Sequence, residues 1–264
     1  ALRGADGFDD TFEFSALSSV TSINGGTGDS DVFVNKSPIG LTFTVDRANG
    51  GDIAGFAFDG IENLRGADFA SDVFVLKAGG SLGGGIDGGV GGADSLQGSG
   101  RALTFTIDGI NSGTAGGFSY KGIETLRGAD GFNDTFELGA LGAISGGING
   151  GTGDSDTLAS KRGIGQTFTI DKANGGNVAG LSFDGVENLR GEANLDDLFI
   201  LKAGGSLGGA VDGGAGGFDT LRLTGAAAVR AVHNNAGGLD SGAVTIYGPC
   251  LHFKRTAANR GTTT

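Results

Sequence analysis

The chemistry this sequence could do rests on carboxylates. Aspartate closes eight glycine-rich runs, at Asp10, Asp31, Asp72, Asp94, Asp134, Asp156, Asp197 and Asp219. Two of these runs, Ile23 to Asp31 and Ile148 to Asp156, share the sequence Ile-Asn-Gly-Gly-Thr-Gly-Asp-Ser-Asp. Hard oxygen donors at glycine turns are what Ca²⁺ requires. Asp29, Asp31, Asp154 and Asp156 are therefore the candidate calcium ligands, with Asp6, Asp9, Asp10, Asp130 and Asp134 beside them. The competing reading is structural: aspartate in a turn readily accepts backbone N–H bonds.

Other chemistries have less to work with. The two histidines, His233 and His252, both stand near the end of the chain, and neither a G-x-S-x-G elbow nor an H-E-x-x-H pair is present. Ser119-Tyr120-Lys121 has no partner at a recognisable spacing. Carboxylates are abundant enough that a paired-acid glycosidase or lyase stays open as an alternative. Cys250 is a single thiol, so no intramolecular disulfide forms. Arg3, Arg65, Arg127 and Arg190 recur, with Glu62, Glu124 and Glu187 three residues before the last three. Such a column reads as a solvated charge pattern, or as a track for an acidic polysaccharide. Thr42/Thr44 and Thr104/Thr106 stand too far apart for an ice-matching surface and read as ordinary strand residues.

Composition narrows the classes. With 57 glycines in 264 residues and only two prolines, glycine is about three times the usual ~7% and collagen is excluded. Eighteen phenylalanines are too much apolar matter for simple disorder. Helical bundles fit poorly, since each interior glycine costs about 1 kcal/mol of helix stability. The net charge of −12 opposes nucleic acid and favours cations. No apolar run reaches the ~18–20 residues of a spanning helix. Ala1-Leu2-Arg3-Gly4 opens partway through a motif that recurs later, which reads as a segment of a longer protein or a mature form.

The elements that must position these residues repeat. Leu-Arg-Gly begins at Leu2, Leu64, Leu126 and Leu189, with spacings of 62, 62 and 63. Thr-Phe-Thr-x-Asp returns at Thr42, Thr104 and Thr167. Four units follow, about 1–61, 62–123, 124–186 and 187–223, and residues 224–264 read as degenerate last coils with a terminal cap or tail. Units one and three match, as do two and four, so the higher period is about 124–125 residues. The Asp turns fall at intervals near 21 and 41, which suggests coils of 20–22 residues, three per unit, with another turn such as Ala48-Asn49-Gly50-Gly51 in every third coil. Between turns, short runs such as Thr11-Phe12-Glu13-Phe14 alternate with period two, as strands do. The expected fold is all-β: a parallel β-solenoid (a right-handed β-helix) of about twelve coils, since one coil cannot bury its apolar face alone and parallel crossovers take the right hand.

The motifs Phe58-Asp59-Gly60-Ile61-Glu62-Asn63-Leu64-Arg65-Gly66, Asp72-Val73-Phe74-Val75-Leu76 and Ser81 to Asp94 resemble β-strand repeats of large bacterial secreted or surface proteins. Those proteins are akin to filamentous-haemagglutinin-type adhesins and are often mixed with RTX-type calcium repeats. The resemblance spans roughly residues 1–223. It implies a non-enzymatic rod segment of an adhesin, outside the cell or on its surface, with a glycan or a host or cell surface as partner and end-to-end self-association of open solenoid ends. The RTX nonapeptide G-G-x-G-x-D-x-U-x is not reproduced, because these turns carry an extra residue and stand ~21 rather than nine residues apart. The alternatives carried forward are a glycan-active β-helix enzyme and a calcium-stabilised module.

Overall fold

In the computed structural model, residues 1–15, 20–28, 30–153, 155–224, 230–232, 246–247 and 251–256 are described. They form 28 strands and no helix. Each of the first three units contributes seven. The first unit holds β1 (Leu2–Arg3), β2 (Thr11–Phe14), β3 (Ser22–Asn24), β4 (Val32–Asn35), β5 (Thr42–Arg47), β6 (Gly50–Ile53) and β7 (Phe56–Asp59). The second holds β8 (Asn63–Arg65), β9 (Val73–Lys77), β10 (Gly85–Asp87), β11 (Ser95–Ser99), β12 (Thr104–Gly109), β13 (Ser112–Ala115) and β14 (Phe118–Lys121). The third holds β15 (Thr125–Arg127), β16 (Thr135–Gly139), β17 (Gly147–Asn149), β18 (Thr157–Lys161), β19 (Thr167–Lys172), β20 (Gly175–Val178) and β21 (Leu181–Asp184). Then come β22 (Asn188–Arg190), β23 (Leu198–Lys202), β24 (Ala210–Ala215), β25 (Thr220–Thr224), β26 (Arg230–Val232), β27 (Ile246–Tyr247) and β28 (Leu251–Thr256).

The strands build two 14-stranded sheets. The first runs β1-β3-β7-β6-β5-β9-β11-β15-β17-β21-β20-β19-β23-β25. The second runs β2-β4-β8-β10-β14-β13-β12-β16-β18-β22-β24-β28-β26-β27. Pairing is parallel wherever the chain has crossed between sheets, as in Phe43↔Phe74 and Phe33↔Leu64. Every passage from the first sheet to the second therefore leaves by one common edge, and every return leaves by the opposite edge.

The third coil expected in each unit is a different object. Between Asp31 and Asp72 the chain runs back and forth within the first sheet, as the antiparallel meander β5-β6-β7. Residues 104–121 do the same in the second sheet and 167–184 in the first. The turn chemistry explains it. Asn49, Asn111 and Asn174 sit at φ 48–50°, the left-handed region that Asn tolerates, and Ala54-Gly55, Gly116-Gly117 and Ala179-Gly180 take positive φ at both residues. Such two-residue turns join antiparallel strands whose twist they match. The turn at 48–51 is thus a hairpin and not a substitute for an Asp corner.

One consequence reaches the whole repeat. A unit makes five passages between sheets, an odd number, so each unit begins in the sheet opposite to its predecessor. Arg3 and Arg127 lie in the first sheet, Arg65 and Arg190 in the second. The arginines expected in one column form two, on opposite sheets. Thr42 and Thr167 are separated from Thr104 in the same way.

Alternate residues of both sheets point into one shared core. Phe33 of the second sheet meets Phe43 of the first at 5.8 Å between ring centres, and Phe14 meets Phe56 at 5.6 Å. Along the parallel pairs the rings stack: Phe43 on Phe74 at 4.6 Å, Phe105 on Phe136 at 5.0 Å, Phe168 on Phe199 at 4.8 Å. Nine phenylalanines are essentially inaccessible. At about 1.5–3 kcal/mol for each buried side chain, they are a large share of the apolar contribution to the fold, beside the more numerous buried Leu, Ile and Val. Three backbone strands, β26 to β28, extend the second sheet beyond β24. Most of the 224–264 segment, with His233 and Cys250, lies outside the described residues.

Candidate functional site

The aspartates stand six residues after a glycine in all eight runs, from Gly4/Asp10 to Gly213/Asp219. The structure shows why. A Cβ at Gly150 would run into the Gly185 carbonyl oxygen and the Asp156 carboxylate, and one at Gly25 into the Gly60 oxygen and Asp31. The corner is a close approach of backbone on backbone that only glycine allows.

Each carboxylate then ties neighbouring turns together. Asp72 Oδ2 accepts the Ala67 N–H (2.7 Å) and Oδ1 the Leu41 N–H (2.6 Å). The Asp72 N–H donates to Asp94 Oδ1 (2.7 Å), and the Asp94 N–H to Glu124 Oε2 (2.8 Å). The same ladder runs from Asp10 to Asp31 to Glu62 and from Asp134 to Asp156 to Glu187. The glutamates have a second partner. Glu62, Glu124 and Glu187 accept Nδ2 of Asn49, Asn111 and Asn174 at 2.6–2.7 Å, the asparagines of the hairpin turns. Those asparagines in turn accept the N–H of Gly83, Ser145 and Gly208. This Asp–Glu–Asn network is absent from the sequence reading. Its signal was available: Asn and Glu are 13 residues apart in all three copies.

Of the candidate calcium ligands, Asp31 and Asp156 are fully buried, and the Oδ1 of each accepts the N–H of another aspartate, Asp10 and Asp134 respectively. Asp29 and Asp154 lie outside the described residues. Asp6 is paired with Arg3 at 2.9 Å. Asp9 accepts the Ser30 N–H. Asp130 accepts the Thr152 hydroxyl and lies beside Arg127, which together hold its carboxyl below the usual range. Asp10 and Asp134 cap Ala5 and Ala129. Among the described residues, no three His, Cys, Asp or Glu side chains converge to hold a metal. The arginines pair forward, Arg65 with Asp68 and Arg127 with Asp130, and the glutamates three residues before them serve the ladder instead.

Burial sets the electrostatics. Asp94 is inaccessible, and its Oδ2 has no hydrogen-bond donor. Desolvation, with Asp72, Glu124 and Asp87 nearby, pushes its pKa up to about 7 against the pull of the Asp72 N–H. Asp197 is raised by burial in the same way. Tyr120, the one residue of the Ser-Tyr-Lys run that points inward, donates to the Thr106 carbonyl at 2.9 Å, and burial beside Asp108 raises its hydroxyl above the usual range.

Among the hollows that the described residues form are two at the surface. One, of about 230 Å³, lies between Lys36, Pro38, Arg65 and Asp68; the other, of about 200 Å³, is lined by Leu2, Phe12, Phe14 and Val20 at the β1/β2 end. Each is lined by a single carboxylate, Asp68 in the first and Glu13 in the second. No protein-family model, curated protein or solved structure matches this chain.

Proposed function

We propose that this chain is a non-enzymatic rod segment of a bacterial extracellular or cell-surface protein. In this reading the two sheets close into a right-handed β-solenoid that spaces or presents adhesive surface toward a glycan or a host or cell surface. The observation that supports it is what the acidic groups do. The ladder carboxylates accept backbone N–H bonds from turn to turn, so the charge that could have served chemistry serves the repeat. Fourteen strands per sheet at ~4.8 Å give a length of roughly 60 Å. Small-angle scattering should return an elongated particle of that length, and polysaccharide and ester panels should show no turnover. Turnover lost on changing a single carboxylate would overturn the rod reading.

A calcium-stabilised module is the second reading, favoured by one observation. Asp31 and Asp156 both end passages from the first sheet to the second, so they lie on one edge. Melting with excess EDTA and then with excess Ca²⁺ separates the two. The rod reading expects no shift in Tm, and a rise with Ca²⁺ would transfer the case to the calcium module.

A further inference from the structure

The two edges of the molecule are chemically different, although the same repeat builds both. Eleven large hydrophobic side chains are exposed among the described residues. Seven of them lie on the edge where the chain returns from the second sheet to the first: Ile39, Phe69, Val90, Ile110, Leu141 and Ile164, with Phe218 at the far end. Leu2 and Leu223 are on the terminal strands of the first sheet. Only Phe8 and Phe132 are on the opposite edge. The seven come from six of the return loops and one hairpin turn, while the loops after β14 and β22 supply none, and together they span roughly 45 Å at ~4.8 Å per strand.

The opposite edge supplies an internal control, because the odd number of passages places equivalent positions there. Val90 is matched by Thr27 and Thr152, and Ile110 by Ala48 and Ala173. Phe69 is matched by Gly7 and Gly131. That last position is left-handed in all four copies: φ is 79° at Gly7, 78° at Gly131, 63° at Phe69 and 65° at Asn194, the copy that shares the return edge with Phe69. Phe69 is also 82% exposed. A bulky residue in the left-handed region is strained, and an exposed ring gains nothing from the core. Neither the turn nor the packing requires Phe there, so its use lies outside the chain's own fold.

From this we infer that the return edge is the interface for a second copy of this chain, packed side by side and antiparallel. At roughly 100–150 Å² each, the seven side chains expose on the order of 800 Å², close to the share of each partner in a standard interface. An antiparallel pair sets the line against itself across a two-fold axis, so it closes as a dimer without growing into a fibre. It also brings the end of the edge that carries Lys36, whose ammonium lies 3.7 Å from Glu13, toward the partner's end with Glu192 and Asp196. A lipid surface fits less well, because bilayers with anionic headgroups repel a chain of net charge −12.

The variant that tests this borrows the molecule's other edge: Phe69→Gly, Val90→Thr and Ile110→Ala together. Sedimentation equilibrium on the full chain should give a monomer–dimer system at twice 26.0 kDa. The triple variant should sediment as a monomer with unchanged far-UV circular dichroism, and Leu141→Ser should weaken the dimer at least several-fold. Phe8→Ser with Phe132→Ser, on the opposite edge, should leave it intact. A wild-type chain that stays monomeric at every concentration overturns the inference. So do an open-ended polymer, a dimer indifferent to the triple variant, and an apolar edge that instead carries the chain onto neutral phosphatidylcholine vesicles in a flotation assay.

Discussion

Glycine has two separable jobs in this chain, and neighbouring residues show them apart. Gly150 sits where a Cβ would strike the Gly185 carbonyl and the Asp156 carboxylate, whereas Gly153 has φ 80° and open space around it. Gly150→Ala should cost about 1–3 kcal/mol, the range of overpacking, and Gly153→Ala only about 1 kcal/mol of backbone strain. Urea denaturation of the two variants checks the ranking; equal losses would mean that the corner relaxes freely. Asp94 is a second test at this scale. Its pKa is 3.8 in the ordinary state and about 7 when folded. A raised carboxyl holds its proton more tightly in the fold than in the unfolded chain. Its contribution is therefore most favourable below about pH 4, is lost as pH rises to about 7, and is fully lost above that. Asp94→Asn keeps an acceptor for the Asp72 N–H and removes the titration. Wild-type stability should fall from pH 5 to pH 8 by on the order of 1–4 kcal/mol more than that of the variant. Parallel curves would refute the buried-carboxyl account.

At the scale of the element, the hairpins are the part that period-two reading passed over. Ala54 and Ala179 take φ 50° and 51°, and the second unit has Gly116 at the same place. Ala54→Gly should therefore stabilise by up to about 1 kcal/mol, the left-handed penalty less the entropy of glycine. A lower denaturation midpoint would show that the alanine methyl packs usefully. The strands themselves were legible. Thr42-Phe43-Thr44-Val45 and Phe56-Ala57-Phe58 alternate in sequence and are buried alternately in the structure. So was the bond-accepting role of the turn aspartates, since Asp after a glycine-rich run has few other places to send its oxygens. The meander was not legible from spacing alone. A hairpin of two short strands and a stacked coil occupy similar lengths of chain, and only positive φ at Asn49 and at Ala54-Gly55 separates them. Glu62 was read against Arg65 because they are close in sequence, while its partners, the Asp31 N–H and Asn49, come from other turns.

For the whole molecule, the odd number of passages is the organising fact. It converts a 62-residue sequence repeat into a 125-residue structural one and gives each edge its own chemistry: Thr27 and Thr152 on one side, Val90 and Ile110 on the other. Sequence alone shows the doubled period but not its meaning, because strand-to-sheet assignment depends on counting crossings. This makes a prediction about length that a simple stack of equal coils would not. Removing one unit, residues 62–123, shifts all that follows by five passages. Leu141, Ile164 and Phe218 then move to the edge opposite Ile39. Removing two units, residues 62–186, restores the phase and leaves Ile39 and Phe218 on one edge. Both shortened chains should retain the β-sheet circular dichroism of the parent, since each unit docks on a neighbour of the same kind. The one-unit deletion should expose two short apolar runs on opposite edges, and the two-unit deletion a single shorter line. Hydroxyl-radical or carbene footprinting of Ile39 and Phe218 with an edge-specific cross-linker reads the difference. If the one-unit deletion keeps both residues on one edge, the units are not tied to alternate sheets, and the account of two distinct edges fails with them.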